Sequence, residues 1–234
     1  MLVPSQLKGV RQNLRAHARI ILALALLATS LRAQGPAPRF MYIYRDSLER
    51  GVDSAYRIIE NDGAQICADL RCPNPYLALE SLSGPHEAWW LNVFATEADT
   101  SRVANAYATN RALSMALNAV AQRKARLIGT PVQGYAVYRG DLSRSLAWSV
   151  AGARFIVVTL TRDLRPANGS AWMMADSTLY VFQSVPSRRE ADSLARQANA
   201  RVFAVRPNWS MPAPEWVAAD PEFWRSAPVP STRR

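Results

Sequence analysis

The stretch Arg39-Phe40-Met41-Tyr42-Ile43-Tyr44-Arg45-Asp46 is an aromatic and β-branched run closed by Arg-Asp, and it recurs loosely as Arg154-Phe155-Ile156-Val157-Val158-Thr159-Leu160-Thr161-Arg162-Asp163. A second pair follows in the same order. Trp90-Leu91-Asn92-Val93-Phe94, leading into Glu97-Ala98-Asp99, is echoed by Leu179-Tyr180-Val181-Phe182, leading into Glu190-Ala191-Asp192. Internal similarity of this kind points to a repeated unit of architecture and leaves the chemistry open.

Working outward from the first copy, Phe40 to Tyr44 reads as a strand whose two faces are both apolar, Phe40, Tyr42 and Tyr44 against Met41 and Ile43. Val52, Ala55, Tyr56 and Ile59 keep helical spacing, which predicts a helix over roughly 48–61 that stops at Asn61-Asp62-Gly63. Tyr76 to Leu82 and Glu87 to Phe94 form a hairpin about Ser83-Gly84-Pro85-His86. Thr96 caps one long helix, with Val103, Ala106, Asn110, Leu113, Leu117 and Val120 on one face and an end near Gly129. Val132 to Tyr138 closes the unit as a strand.

The order strand, helix, strand, strand, helix, strand over 39–138 is the ferredoxin-like split βαβ arrangement, an α+β fold with an antiparallel sheet. Because both faces of its strands are apolar, something must cover the second one. The segment 150–206 is expected to do so as an abbreviated second repeat, with strands at 155–161 and 179–185, a short one at 171–175, a helix at 187–199 and a strand from Arg201. Residues 207–234 carry six of the 15 prolines together with Trp209, Trp216 and Trp224, which predicts an irregular strap packed over the body.

The first 33 residues have the layout of a signal peptide: Lys8, Arg11, Arg15 and Arg19, then the apolar run Ile20 to Ala28, then the small residue Ala33. About a dozen residues separate Arg19 from Arg32, fewer than the roughly 20 needed to span a bilayer. Export to the periplasm or the extracellular space is therefore expected, with no stable membrane span after cleavage. Loss of these five basic side chains takes the formal charge from +10 to +5, and the remaining arginines are interspersed with acids, so no nucleic-acid face is expected. In an oxidising compartment Cys67 and Cys72 are expected to pair, which would stabilise the fold by roughly 2 kcal/mol on a chain-entropy estimate. One histidine, His86, remains beyond the leader, too few for a histidine-ligated zinc or haem, so neither metal nor cofactor is expected. Nucleotide loops, the Gly-x-Ser-x-Gly elbow and the His-Glu-x-x-His motif are missing as well.

The strand Tyr42-Ile43-Tyr44-Arg45, the hairpin from Tyr76-Leu77-Ala78-Leu79 to Gly84-Pro85-His86-Glu87-Ala88-Trp89-Trp90, and the helix containing Tyr107-Ala108-Thr109-Asn110 resemble the ferredoxin-like dimeric α+β barrel superfamily, in particular antibiotic-biosynthesis-monooxygenase and NIPSNAP-like domains. The resemblance implies a pseudo-dimeric barrel within this chain or a homodimer of chains, with a cavity between sheet and helices. It implies no activity.

Candidate residues are few. His86 is the one side chain beyond the leader that titrates near neutrality and is the first candidate for proton transfer, with Glu87 beside it either orienting it or simply beginning a strand. Asn110 interrupts an apolar stripe, and a buried amide needs a backbone or ligand partner. Trp89, Asn92, Tyr107 and Asn110 are the expected lining of a cavity beneath the long helix. The leading reading is an exported protein that binds a small apolar molecule in a barrel cavity. Two alternatives stand beside it: a cofactor-independent monooxygenase or isomerase using His86 and Asn110, and a non-catalytic partner-binding domain contacting through its Trp-rich tail.

Overall fold

Strict alternation in Phe40–Ser47 (β1) divides the molecule into an inside and an outside, since Met41 and Ile43 are buried on one face while Tyr42, Tyr44 and Asp46 lie on the other. In the computed structural model, which describes residues 37–230 except 146, 147, 149 and 199, β1 is followed by Leu77–Ser81 (β2), Glu87–Phe94 (β3), Val132–Tyr138 (β4), Phe155–Thr161 (β5), Ser170–Met174 (β6), Leu179–Val185 (β7) and Arg201–Val205 (β8). The signal-peptide reading of 1–33 and the end of the tail, 231–234, lie outside the described residues. The eight strands pair antiparallel throughout and close into one barrel in the order β1-β3-β2-β8-β5-β7-β6-β4. Closure leaves no strand edge open, so both apolar faces can be used without inviting a further strand.

The inside is full. Met41, Ile43, Leu79, Trp89, Trp172 and Phe203 meet along the axis, each with no more than 1% of its surface exposed. Eight strands give an interior just wide enough for side chains to fill. The interior of the barrel is thus packed core. At one end Glu87, which begins β3, accepts from Arg45 Nη2 at 2.8 Å, Arg201 Nη1 at 2.9 Å and Trp89 Nε1 at 2.8 Å, so a buried carboxylate is neutralised from both halves of the sheet. Ala213, Trp216 and Trp224 of the tail join the same core. The tail is more regular than a strap, forming short helices at Pro214–Ala219 (α5) and Pro221–Trp224 (α6).

Two helix boundaries differ from the sequence reading. The first helix runs over Asp53–Asp69 (α1), straight through Asn61-Asp62-Gly63. Its buried residues Tyr56, Ile59, Glu60, Gly63, Ala64 and Cys67 form one stripe, and a Cβ on Gly63 would stand 3.4 Å from Val120 Cγ1. Gly63 therefore serves close helix packing and ends nothing. The expected long helix is two, Glu97–Thr109 (α2) and Arg111–Lys124 (α3). Asn110 breaks it: its Oδ1 accepts from Leu113 N at 3.1 Å and its Nδ2 donates to Leu70 O at 3.3 Å, so the side chain substitutes for the backbone of a continuous helix.

Past β4, the chain crosses from β5 to β6 by a loop, and Arg188–Ala198 (α4) precedes β8. The first echo in the sequence is in step, with Phe40 and Phe155 outside the barrel and Met41 and Ile156 inside it. The second is out of step by one residue, since Phe182 points inward whereas Phe94 faces the helices.

Candidate functional site

A cavity of about 540 Å³ lies outside the barrel, between the outer face of β4, β1 and β3 and the helices α1, α2 and α3. Strand alternation supplies its floor. Tyr44 stands opposite Trp90, and Tyr42 stands opposite Asn92 on one side and Tyr135 on the other, so large side chains form two adjacent rows. Their rings touch, 5.6 Å apart for Tyr44 and Trp90 and 5.1 Å for Tyr42 and Tyr135. The roof is built from smaller pieces: Gly63 and Ala64 of α1, Val103 and Ala104 of α2, Leu117 and Ala121 of α3. No described residue of α2 is fully buried, so that helix stands off the sheet and the space beneath it stays open. Tyr107 hangs from α2, and Tyr76 borders the cavity from the segment before β2.

One end of the cavity is ionic. Lys124, in the last turn of α3, places Nζ 2.8 Å from Asp46 Oδ2 and 3.0 Å from Glu60 Oε1. Tyr56 donates its hydroxyl to the same Asp46 oxygen at 2.8 Å, and the Lys124 ammonium lies 4.6 Å from the Trp90 ring centre. All three charged side chains are almost wholly enclosed. Burial pushes the Glu60 carboxyl above the usual glutamate range, an effect that Lys124 only partly offsets. Burial would draw the Lys124 ammonium down, but Glu60 and Asp46 together hold it above its ordinary value. Burial also pushes the phenols up, to about 12 for Tyr44 and for Tyr107, so they are neutral hydroxyls at physiological pH, able to donate and accept hydrogen bonds.

Of the residues singled out in the sequence, Asn92 and Tyr107 line this cavity, Asn92 with its Nδ2 donating to Pro75 O at 3.2 Å. Trp89 lies on the opposite face of β3 from Trp90 and is fully enclosed in the barrel. Asn110 is spent on the α2–α3 junction and is not part of the lining. His86 sits at the hairpin turn with Nε2 2.8 Å from Asp53 Oδ1, partly exposed and away from the cavity wall. Cys67 and Cys72 form a disulfide at the end of α1, with Cys67 reaching the wall. Among the described residues no group of three or more His, Cys, Asp or Glu is placed to hold a metal ion, and no helix is long and apolar enough to cross a membrane.

The sequence reading missed Asp46, Glu60 and Lys124. Lys124 reads as an ordinary cation complementing a helix end. Glu60 carried a usable signal, since it follows Tyr56 by four residues and precedes Ala64 by four, placing a carboxylate on the buried stripe of α1.

The chain matches no protein-family model and no curated protein. Its structure is similar to that of a proposed monooxygenase from Fusobacterium nucleatum, at 7% identity and a TM-score of 0.45, over 75% of this chain and 94% of that one. A proposed monooxygenase from Lactobacillus acidophilus aligns at 8% identity and a TM-score of 0.40, over 79% and 88% of the two chains. A proposed chlorite dismutase aligns at 11% identity and a TM-score of 0.41, over 73% and 96%.

Proposed function

We propose that this chain is an exported binding protein that holds a small, largely aromatic molecule in the cavity between its barrel and the helices α1 to α3. The observation that carries the reading is a space of about 540 Å³ lined by seven tyrosine, tryptophan and phenylalanine side chains and closed at one end by a buried ionic cluster. Mostly apolar clefts of this size with a few placed polar groups are the usual form of small-molecule sites. Export is read from the basic and apolar leader, and the Cys67–Cys72 bridge agrees with an oxidising compartment. We read the barrel as two ferredoxin-like halves, a reading supported by the matching strand orders β4-β1-β3-β2 and β8-β5-β7-β6. The second half lacks the helix between its first two strands.

Trp90 on the floor supplies the readout. Titration with a panel of flat aromatic compounds should give saturable quenching of tryptophan fluorescence and a raised melting temperature, because a ligand that binds only the folded state stabilises it. Val103→Trp, which puts an indole into the space from the loosely seated α2, should remove both effects while leaving the fold intact by circular dichroism. Absence of saturable binding across the panel, or binding undiminished by Val103→Trp, would refute the proposal.

A further inference from the structure

The charges around the cavity are unbalanced. Two carboxylates, Asp46 and Glu60, meet one ammonium, Lys124, and no arginine stands among the lining residues. An anionic ligand would find no counter-charge there, since Lys124 already bonds to both acids. A cation would find the reverse. Seven rings line the space, and one of them, Trp90, already carries the protein's own ammonium 4.6 Å from its centre. Ring faces attract organic cations electrostatically, and more strongly when water is excluded. Beyond Lys124, Tyr76 lies close enough to Glu60 for the carboxylate to bear on its hydroxyl, and Tyr107 bears on Tyr76 in turn.

Resting on the binding reading above, we propose that the cavity selects a small organic cation, a quaternary or protonated amine attached to an apolar body, and seats its charge between Glu60 and the rings of Tyr76 and Tyr107. The cation supplies the second positive charge that Asp46 and Glu60 together call for. The apolar body then lies along Tyr42, Phe94 and Tyr135. Glu60 faces Lys124 from α3, Asp46 and Tyr44 from β1, Tyr56 from its own helix and Tyr76 from the segment before β2. The tyrosines and Lys124 are all displaced upward, away from the range between pH 5 and pH 8. Glu60 is the carboxyl that burial pushes up, and a bound cation draws it into its ionised form with release of a proton.

Phenyltrimethylammonium and tert-butylbenzene have nearly the same shape and differ in charge, so the comparison isolates that charge. The cation should bind wild-type protein at least about tenfold more tightly than the neutral compound at pH 7.5, as expected of a desolvated ring-and-carboxylate site. Its affinity should rise with pH by up to about tenfold per unit until Glu60 is ionised, while that of tert-butylbenzene should not. Glu60→Gln should cost the cation at least about tenfold more affinity than it costs tert-butylbenzene and flatten the cation's pH profile. Equal or tighter binding of tert-butylbenzene to wild-type protein, or a cation affinity that falls as pH rises, would overturn the cation proposal and leave the binding site in place. Failure of both compounds to bind would overturn both readings. The wild-type comparison and its pH profile decide the matter even where Glu60→Gln fails to fold.

Discussion

Replacing Lys124 by Met keeps most of the side chain's length and bulk and removes its charge, leaving Asp46 and Glu60 facing each other with no cation between them. Both oxygens that Lys124 contacts lie within 3.0 Å of its Nζ, and the three side chains are at most 11% exposed, so solvent can screen little of what is lost. Removing one partner of such a buried set costs about 3–5 kcal/mol. In a chain of this size each kcal/mol moves the melting temperature by about 2–4 °C, so Lys124→Met should melt roughly 6–20 °C below wild type near neutral pH. The sign of the pH dependence follows from Glu60. Its folded-state carboxyl is held above the glutamate range by burial, and Lys124→Met removes the one group that lowers it substantially. A carboxyl raised in the folded state contributes stability that is present below its unfolded value and lost as pH climbs through its folded value. The deficit of Lys124→Met should therefore shrink as pH falls toward the glutamate range. Urea unfolding at pH 5 and pH 8, followed by far-ultraviolet circular dichroism, measures this directly, with Glu60→Gln and the double variant completing a cycle. Glu60→Gln leaves a one-to-one Lys124–Asp46 pair, whereas the double variant still leaves Asp46 buried without its cation, so the combination should recover only the pH-dependent part of the loss that comes from Glu60. A deficit under about 1 kcal/mol, or one equal at both pH values, would refute the view that the cluster is a tightly balanced buried charge set.

Asn110→Ala should cost about 1 kcal/mol, the usual worth of an N-cap, and should leave ligand affinity unchanged because its amide is spent on Leu113 N and Leu70 O; a loss of affinity without a loss of stability would place it in the site after all. Trp209→Ala should cost about 3–5 kcal/mol, since this ring is 1% exposed and packs edge-on against Tyr56 beneath α1; chemical denaturation showing less than half of that would mean the tail is dispensable to the body.

The strand pattern was legible because period-two alternation survives any tertiary context: the readings of Glu87 to Phe94 and Val132 to Tyr138 agree with β3 and β4 as found. Helix boundaries were less so, because Gly63 and Asn110 each have two physical uses. A glycine after Asn-Asp resembles a turn until a second helix is known to press on it, and an asparagine on an apolar stripe resembles a buried polar group until its side chain is seen bonding Leu113 N. The site was half legible. Asn92 and Tyr107 follow from the outer face of β3 and the inner face of α2, whereas Trp89 and Trp90 are neighbours in sequence and only one can face outward. Asp46, Glu60 and Lys124 come from three elements as far as 78 residues apart, and nothing local marks them as partners.

The cavity's position follows from an asymmetry between the halves of the barrel. On the first half the outward positions hold Tyr42, Tyr44, Trp90 and Phe94, with three helices above them, one loosely seated. On the second, Val157, Val185 and Val202 face outward against Ala191 of the single helix α4, and a smaller space of about 410 Å³ lies beside them, bordered by Val185 of β7 and by Glu190 and Leu194 of α4. A loop from β5 to β6 in place of a helix is affordable there because short aliphatic residues need less cover than rings do. Large rings under a helix that does not reach them leave a void, and a buried charge at its edge makes that void costly unless something complements it. On the binding reading proposed above, substitutions along β1 and α1 should alter ligand selection, while those along β5 should alter stability alone.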